Sequence, residues 1–337
     1  MRHRKQTDSL SKIFDNPMSV ERNFRVKSVQ DFIDTVDQIE NLHGPESRGT
    51  SLSQWTVYRG HGDESYALSP SLYRDVPGVP GFYTREQLLI DEVFRLMPSE
   101  FDGLSAFQQL AKLQHFGLPT RMLDVTINPL VALFFACGGS PTVDGEVVVL
   151  PRTQILHENA QQVSWISNWA INGSWGVVNG MGVVKAAGLP VERTGAPSSE
   201  ELIESLTKPF LAVRPRYTNP RLKAQNGAFL IAGLSIDGAE DFGQMGRSDA
   251  ERSLEIRPHR FEFDETNEST SIRIHRPRVL VDGEAKPRIL RQLNSLDVNE
   301  ATLFPDPEHC VRYVREGFRN DAFGITYAPR AFVDDDV

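Results

Sequence analysis

Apolar residues recur at helical spacing over several stretches of the chain, with short β-rich segments between them. Phe32, Ile33, Val36 and Ile39 make one stripe and predict a helix over Val29–Leu42, closed by His43-Gly44-Pro45. Trp55-Thr56-Val57-Tyr58 has strand composition. Thr84 and Gln87 have capping-box spacing, and Leu89, Ile90, Val93, Phe94 and Met97 continue as a helical face. Phe107, Leu110, Ala111 and Gln114 predict a second helix ending near Gly117. A third starts at Asn128-Pro129, residues suited to N-cap and N1, and runs to Gly138-Gly139 with apolar residues on all sides, as in a buried helix. Glu146–Leu150 reads as a short strand, Gly227–Leu234 as another and Ser271–Val281 as a long one. Pro287–Leu296 and Pro307–Glu316 carry helical stripes.

The intervening stretches are less regular. Residues 1–27 are polar and slightly basic, an arm with a short element at Phe14. Residues 153–210 hold Trp165, Trp169 and Trp175 and a glycine-rich stretch, read as a variable helical insert. Residues 236–268 read as polar and irregular. Dispersed strands among early helices, without βαβ alternation, predict an α+β fold, a mixed or antiparallel sheet with packed helices. The expected division is an N-terminal arm and helix (1–49), a main domain (50–315) and an acidic tail (316–337).

Composition narrows the function classes. The 337 residues carry 36 Lys plus Arg against 45 Asp plus Glu, a net charge of −9, which argues against a surface built throughout for nucleic acid but leaves room for a local basic cleft. Two cysteines exclude a disulfide scaffold, and the eight histidines show no metal-ligand spacing, so no metal is expected. No apolar run is long enough to span a bilayer and the basic start lacks a following apolar stretch, so the expectation is a cytoplasmic protein with no membrane association.

Three segments stand apart. Val57-Tyr58-Arg59-Gly60-His61-Gly62-Asp63 leads into Tyr66-Ala67-Leu68-Ser69-Pro70-Ser71-Leu72-Tyr73-Arg74. Leu113-Gln114-His115-Phe116-Gly117-Leu118-Pro119-Thr120-Arg121-Met122-Leu123-Asp124-Val125-Thr126 leads into the apolar helix at Asn128-Pro129. Arg221-Leu222-Lys223-Ala224-Gln225-Asn226-Gly227-Ala228-Phe229 is the third, and Leu303-Phe304-Pro305-Asp306 closes the set. Together they resemble the FRG domain family, named for an aromatic-Arg-Gly motif that here reads Tyr58-Arg59-Gly60. The resemblance runs over residues 50–315 and is weakest at 155–200. It implies a bacterial defence or toxin–antitoxin setting, with an antitoxin or regulatory protein as partner. It also implies an ADP-ribosyltransferase-like fold, in which an early Arg and a late Glu flank an NAD cleft.

That implication has a definite chemistry. Cleaving NAD leaves an oxocarbenium-like centre that a carboxylate stabilises or orients, the pyrophosphate wants the planar fork of arginine, and an aromatic face can stack on nicotinamide. The candidate catalytic residues are then Glu300, Arg59 and His115, with Asp297, Asp124 and Glu284 competing with Glu300 for the carboxylate role. Tyr58, Arg59, Gly60, Thr120, Arg121, Asp124 and Gln225 are the candidates for binding NAD as co-substrate. The acceptor would be nucleic acid or protein. Each candidate also has a structural reading: Arg59 as a buried arginine tied to a carboxylate such as Asp124, the His115–Asp124 cluster as a self-satisfied network at a turn between two helices, Gln225 closing a backbone gap, Glu300 as a loop or helix-start charge. The alternative to a transferase is a non-catalytic module that senses nucleotides or docks a partner. The transferase reading requires Arg59, Arg121 and Glu300 to line one pocket.

Overall fold

The computed structural model describes residues 23–42, 54–74, 82–173, 176–179, 199–208, 210–237, 253–258 and 278–319. The elements in chain order are β1 (Asn23–Val26), α1 (Val29–Leu42), β2 (Gln54–His61), α2 (Glu86–Leu96), α3 (Ala106–His115), β3 (Met122–Thr126), α4 (Pro129–Ala136), β4 (Gly145–His157), α5 (Gln161–Asn172), β5 (Gly176–Asn179), α6 (Ser199–Thr207), β6 (Phe210–Arg214), α7 (Pro220–Ala224), β7 (Gly227–Ala232), β8 (Leu234–Asp237), β9 (Ser253–Pro258), β10 (Arg278–Val281), α8 (Lys286–Ser295), α9 (Glu300–Leu303) and α10 (Pro307–Arg319). Strands and helices are segregated rather than alternating in parallel units, so the fold class is α+β, with a mixed sheet.

That sheet has seven strands in the order β1-β10-β4-β2-β3-β7-β6, and β6 also pairs with β4. The extra pairing closes β4, β2, β3, β7 and β6 into a ring. Strand β4 makes closure feasible. Its 13 residues pair with β10 and β2 over the first half and, in parallel, with β6 at Ile155–His157. Between the two halves the register against β2 slips, at Leu150 to Thr153, and Pro151 stands in the slip. Proline donates no ladder hydrogen bond and is tolerated in a sheet at such a bulge, which also bends the strand toward its new neighbour.

Side chains sort by the twofold alternation of the strands. Val57, Leu123, Val125, Val148, Leu150, Ala212, Ala228 and Leu230 come from all five ring strands and form one buried cluster, the inside of a narrow barrel. The two alanines keep the interior small enough to fill without voids. Leu68, from the segment after β2, joins this cluster and plugs it. The alternate residues face outward under helices. Met122, Leu211, Val213, Phe229 and Ile231 pack against α2, α3, α5 and α6, with Trp165 and Trp169 buried among them. Tyr58, Val147, Val149, Val279 and Val281 pack against α1, α4 and α8. Strands β5, β9 and β8 form a separate three-stranded sheet.

Several helix boundaries follow from capping. Ser105 and Gln108 form a reciprocal capping box at α3, and Asn128 Oδ1 accepts the Leu130 amide at 3.0 Å with Pro129 at N1 of α4. Other expectations need correction. The helix expected from Thr84 starts at Glu86, after a 3₁₀ turn over Phe82–Arg85, with Arg85 as an N-cap that makes no side-chain cap bond. Residues 23–26 of the expected arm are a strand, held by parallel pairing to β10. The short strand expected to stop at Leu150 continues to His157. The 153–210 stretch, expected as a variable helical insert, supplies the end of β4 that pairs with β6 and the core tryptophans of α5, so it is part of the packed fold. Residues 236–268, expected to be irregular, contain β9 and the end of β8. Phe14, Trp175 and most of the strand expected at Ser271–Val281 lie outside the described residues.

The two cysteines differ sharply in environment: Cys137 is 3% exposed, and burial pushes its thiol up to about 12, while Cys310 is half-buried. Thiolate is the reactive form. Native protein should therefore take up one equivalent of a thiol reagent at pH 8, at Cys310, and a second only after denaturation. Mass spectrometry of labelled peptides checks this.

Candidate functional site

Arginine 59 lies on the inward side of β2, two residues beyond Val57, near one end of the barrel. Strands β2 and β3 are matched there only at Tyr58 and Thr126 and then diverge. The Arg59 guanidinium spans the gap: Nη1 donates to the backbone carbonyl of Asp124, and Nε donates to His61 Nε2 at 3.2 Å. His61, 4% exposed, is therefore in a form whose Nε2 accepts. A second guanidinium comes from the plug segment. Arg74 Nε and Nη2 donate to the carbonyl of Ser69 at 3.1 and 3.0 Å, next to Leu68 inside the barrel. Burial lowers the Arg59 pKa; Asp124 offsets part of that, and the charge of Arg74 adds to it. Two cations thus share one site, and their hydrogen bonds go to carbonyls and an imidazole. Among the described residues neither forms an ion pair with a carboxylate.

The remaining predicted residues fall elsewhere. Arg121, expected on a pyrophosphate, is 0% exposed and closes its fork on Glu86, Nε to Oε1 at 2.9 Å and Nη2 to Oε2. Its bidentate capacity is spent inside the core. Thr120 is 1% exposed; its hydroxyl donates to Gln114 Oε1 at 2.7 Å and accepts from the Met122 amide at 3.2 Å. Tyr58 points to the other side of β2 from Arg59, under α1, where its hydroxyl donates to Glu40 at 3.0 Å; burial and then the Glu40 charge raise its pKa. Gln225 Nε2 donates to the Leu303 carbonyl at 3.1 Å, and its own carbonyl accepts from Thr126 Oγ1 at 2.7 Å, which closes the β3–β7 end. The turn expected between two helices at 115–124 is in part strand β3: Asp124 pairs with Phe229, its carboxylate exposed on the outer side. His115 is exposed at the end of α3, 3.4 Å from Asn219 Nδ2.

Glu300 is the first residue of α9, capped by Asn299, and accepts from Arg312 Nε at 2.8 Å. Helix α9 joins the barrel from outside, where Phe304 meets Phe135 of α4 and the Arg221 guanidinium sits 4.6 Å over the Phe304 ring. Among the described residues no hydrogen bond or ion pair links Glu300, Arg121 and Arg59. Arg121 is closed in the core on Glu86, and Glu300 is held by Arg312.

The model of the FRG domain family matches residues 54–144. These residues form an FRG domain within the chain. Comparison with curated proteins gives no match, and comparison with solved structures gives none either. The matched span holds β2 and β3 but stops before β4, although both flanking partners in the ring, β4 and β7, lie beyond it. The FRG motif residues depend on those later strands. Lys286, also outside the match and 1% exposed, donates to the carbonyls of Gly62 at 2.7 Å, Gly138 at 3.1 Å and Ser140 at 3.2 Å, tying α8 to both ends of the motif region.

The motif glycine has a packing role rather than the expected ligand approach. A Cβ on Gly60 would stand 2.0 Å from the Ala132 carbonyl oxygen and 2.6 Å from the Ala136 amide, so α4 lies directly on the β2 backbone. Arg74, His61 and Tyr66 were not singled out from the sequence, though all three fall within its first distinctive segment. The available signal was a second arginine closing a segment that begins with one.

Two outcomes follow for stability. Replacing Gly60 by alanine forces backbone apart and should cost about 3 kcal/mol, the upper part of the overpacking range, in urea denaturation. Glu86→Gln leaves the Arg121 charge buried without its carboxylate and should cost about 3–5 kcal/mol, whereas the double change Glu86→Leu with Arg121→Met should recover most of that.

Proposed function

We propose that the FRG domain of this chain is a recognition module for a phosphate-bearing ligand, with Arg59 and Arg74 as its anchors. One observation carries the reading: two guanidiniums act on each other at the barrel end, hydrogen-bonded to carbonyls and an imidazole, and among the described residues neither is in an ion pair, the Asp124 carboxylate acting on Arg59 only through space. A guanidinium has more donors than the two bonds each makes here, and like charges held together favour an anion that neutralises both. Pre-setting Arg59 on Asp124 and His61, and Arg74 on Ser69, lowers the entropy lost when a ligand binds. No metal takes part in this reading; among the described residues no three His, Cys, Asp or Glu side chains gather where they could hold one. None of the described helices is long and apolar enough to cross a membrane.

The NAD-transferase reading asks for Arg121 and Glu300 beside Arg59. It therefore has less support than the binding reading, which uses Arg59 alone of those three. NAD stays relevant as a ligand, because its pyrophosphate is the kind of group the two arginines would hold. A sensing role accords with the defence or toxin–antitoxin setting that the family implies, a regulatory protein partner then reading the bound state.

Calorimetric titration with inorganic pyrophosphate and with NAD tests the proposal. Wild type should bind, and ligand should raise the melting temperature. Arg74→Ala, a change at an exposed side chain, should weaken binding about 10- to 100-fold, the loss of one charge-assisted contact of roughly 1.5–3 kcal/mol. Nicotinamide release should not accompany binding. Turnover of NAD that Glu300→Gln abolishes would instead establish the transferase.

A further inference from the structure

Beyond the two arginines, the same side of β2 and its following turn carry two rings. His61 is two residues past Arg59, hence on the same side of the strand, and hydrogen-bonds its Nε. The Tyr66 ring stands next, its centroid 6.3 Å from that of His61 at 63° between planes. A tight turn fixes its position: the Tyr66 amide donates to the Asp63 carbonyl at 3.2 Å, and Ser65 donates to Asp63 Oδ1 from its amide at 2.8 Å and its hydroxyl at 2.6 Å. Despite this fixed position Tyr66 is 60% exposed, so most of its ring is open to solvent. Arg74, Arg59, His61 and Tyr66 thus make one row, cationic at one end and aromatic at the other. The carboxylates near the aromatic end are Asp63, which accepts from Ser65 in the turn, and Glu146 and Glu64, which pair with Arg278 at 3.1 and 3.9 Å.

Resting on the phosphate reading above, we infer that the ligand is a nucleoside diphosphate or a dinucleotide containing one. Its phosphates would lie on Arg59 and Arg74 and its base on the open face of Tyr66, with the sugar spanning the stretch beneath which His61 is buried. An ordered charge-to-aromatic row suits a molecule that is anionic at one end and a planar heterocycle at the other, and stacking on an aromatic ring is tolerant of base identity. An inorganic phosphate would use only half of the row. A phosphorylated protein side chain would likewise leave Tyr66 without a planar partner.

Calorimetry with ADP and with inorganic pyrophosphate separates this inference from the one beneath it. Wild type should bind ADP about tenfold more tightly than pyrophosphate. Tyr66→Ala should bring ADP down to the pyrophosphate level without changing pyrophosphate itself, and Tyr66→Phe should retain the preference. If ADP and pyrophosphate bind alike, or Tyr66→Ala leaves ADP affinity unchanged while Arg74→Ala weakens both ligands, the phosphate site stands and the base site is overturned. Binding of neither ligand to the folded wild-type protein overturns both.

Discussion

Strand β4 bends at Pro151, and the ring of five strands depends on that bend. Its first half runs between β2 and β10, and its second half reaches β6, which a straight strand alongside β2 would not meet. Closure gives β2 and β3 an inside and an outside. The inside is a narrow apolar filling with Ala212 and Ala228 where larger residues would not fit. The outside is shared by two groups of helices, and the motif glycine serves that side by admitting α4 onto the backbone. The motif arginine, one position earlier, faces the other way.

This alternation separates the roles within the aromatic-Arg-Gly motif. Tyr58 and Gly60 build the contact of β2 with α1 and α4, while Arg59 occupies the place where β2 and β3 part. An arginine with its stem beside a filled barrel needs acceptors, and the Asp124 carbonyl and His61 supply them. Arg121 illustrates the opposite outcome for the same residue type. It meets Glu86 inside the core in a two-point ion pair. What distinguishes the two arginines is the nature of their partners: a carboxylate ends the demand for an anion, and a carbonyl does not.

Much of the fold was legible in the sequence because local signals sufficed. The stripe of α1, the capping residues of α3 and α4, and the uniform apolarity of α4 each report a nearest-neighbour rule. Elements set by distant pairing were not legible. β1 is only four residues long and exists because β10 lies beside it; β4 outlasts its proline because β6 takes over as neighbour; β3 was read as a turn because its five residues follow Pro119 and precede Pro129. The same limit governed the site. Residue type marked Arg59 and Arg121 equally, and Glu86 is 35 positions from Arg121, so nothing local told the paired arginine from the one without a carboxylate. Arg74 and Tyr66 carry no local signal: they are set by Leu68 packing into the barrel and Tyr66 standing beside His61.

In the proposed function Arg59 and Arg74 form one anion site while Arg121 is closed on Glu86. Side-chain ¹⁵Nε–H spectra of arginine, assigned by single replacement and followed during titration with pyrophosphate, test it most directly. The account predicts that the Arg59 and Arg74 resonances shift together along one saturating curve while that of Arg121 stays fixed. Saturation with the Arg59 and Arg74 resonances unmoved, or with Arg121 shifting in their place, would contradict it.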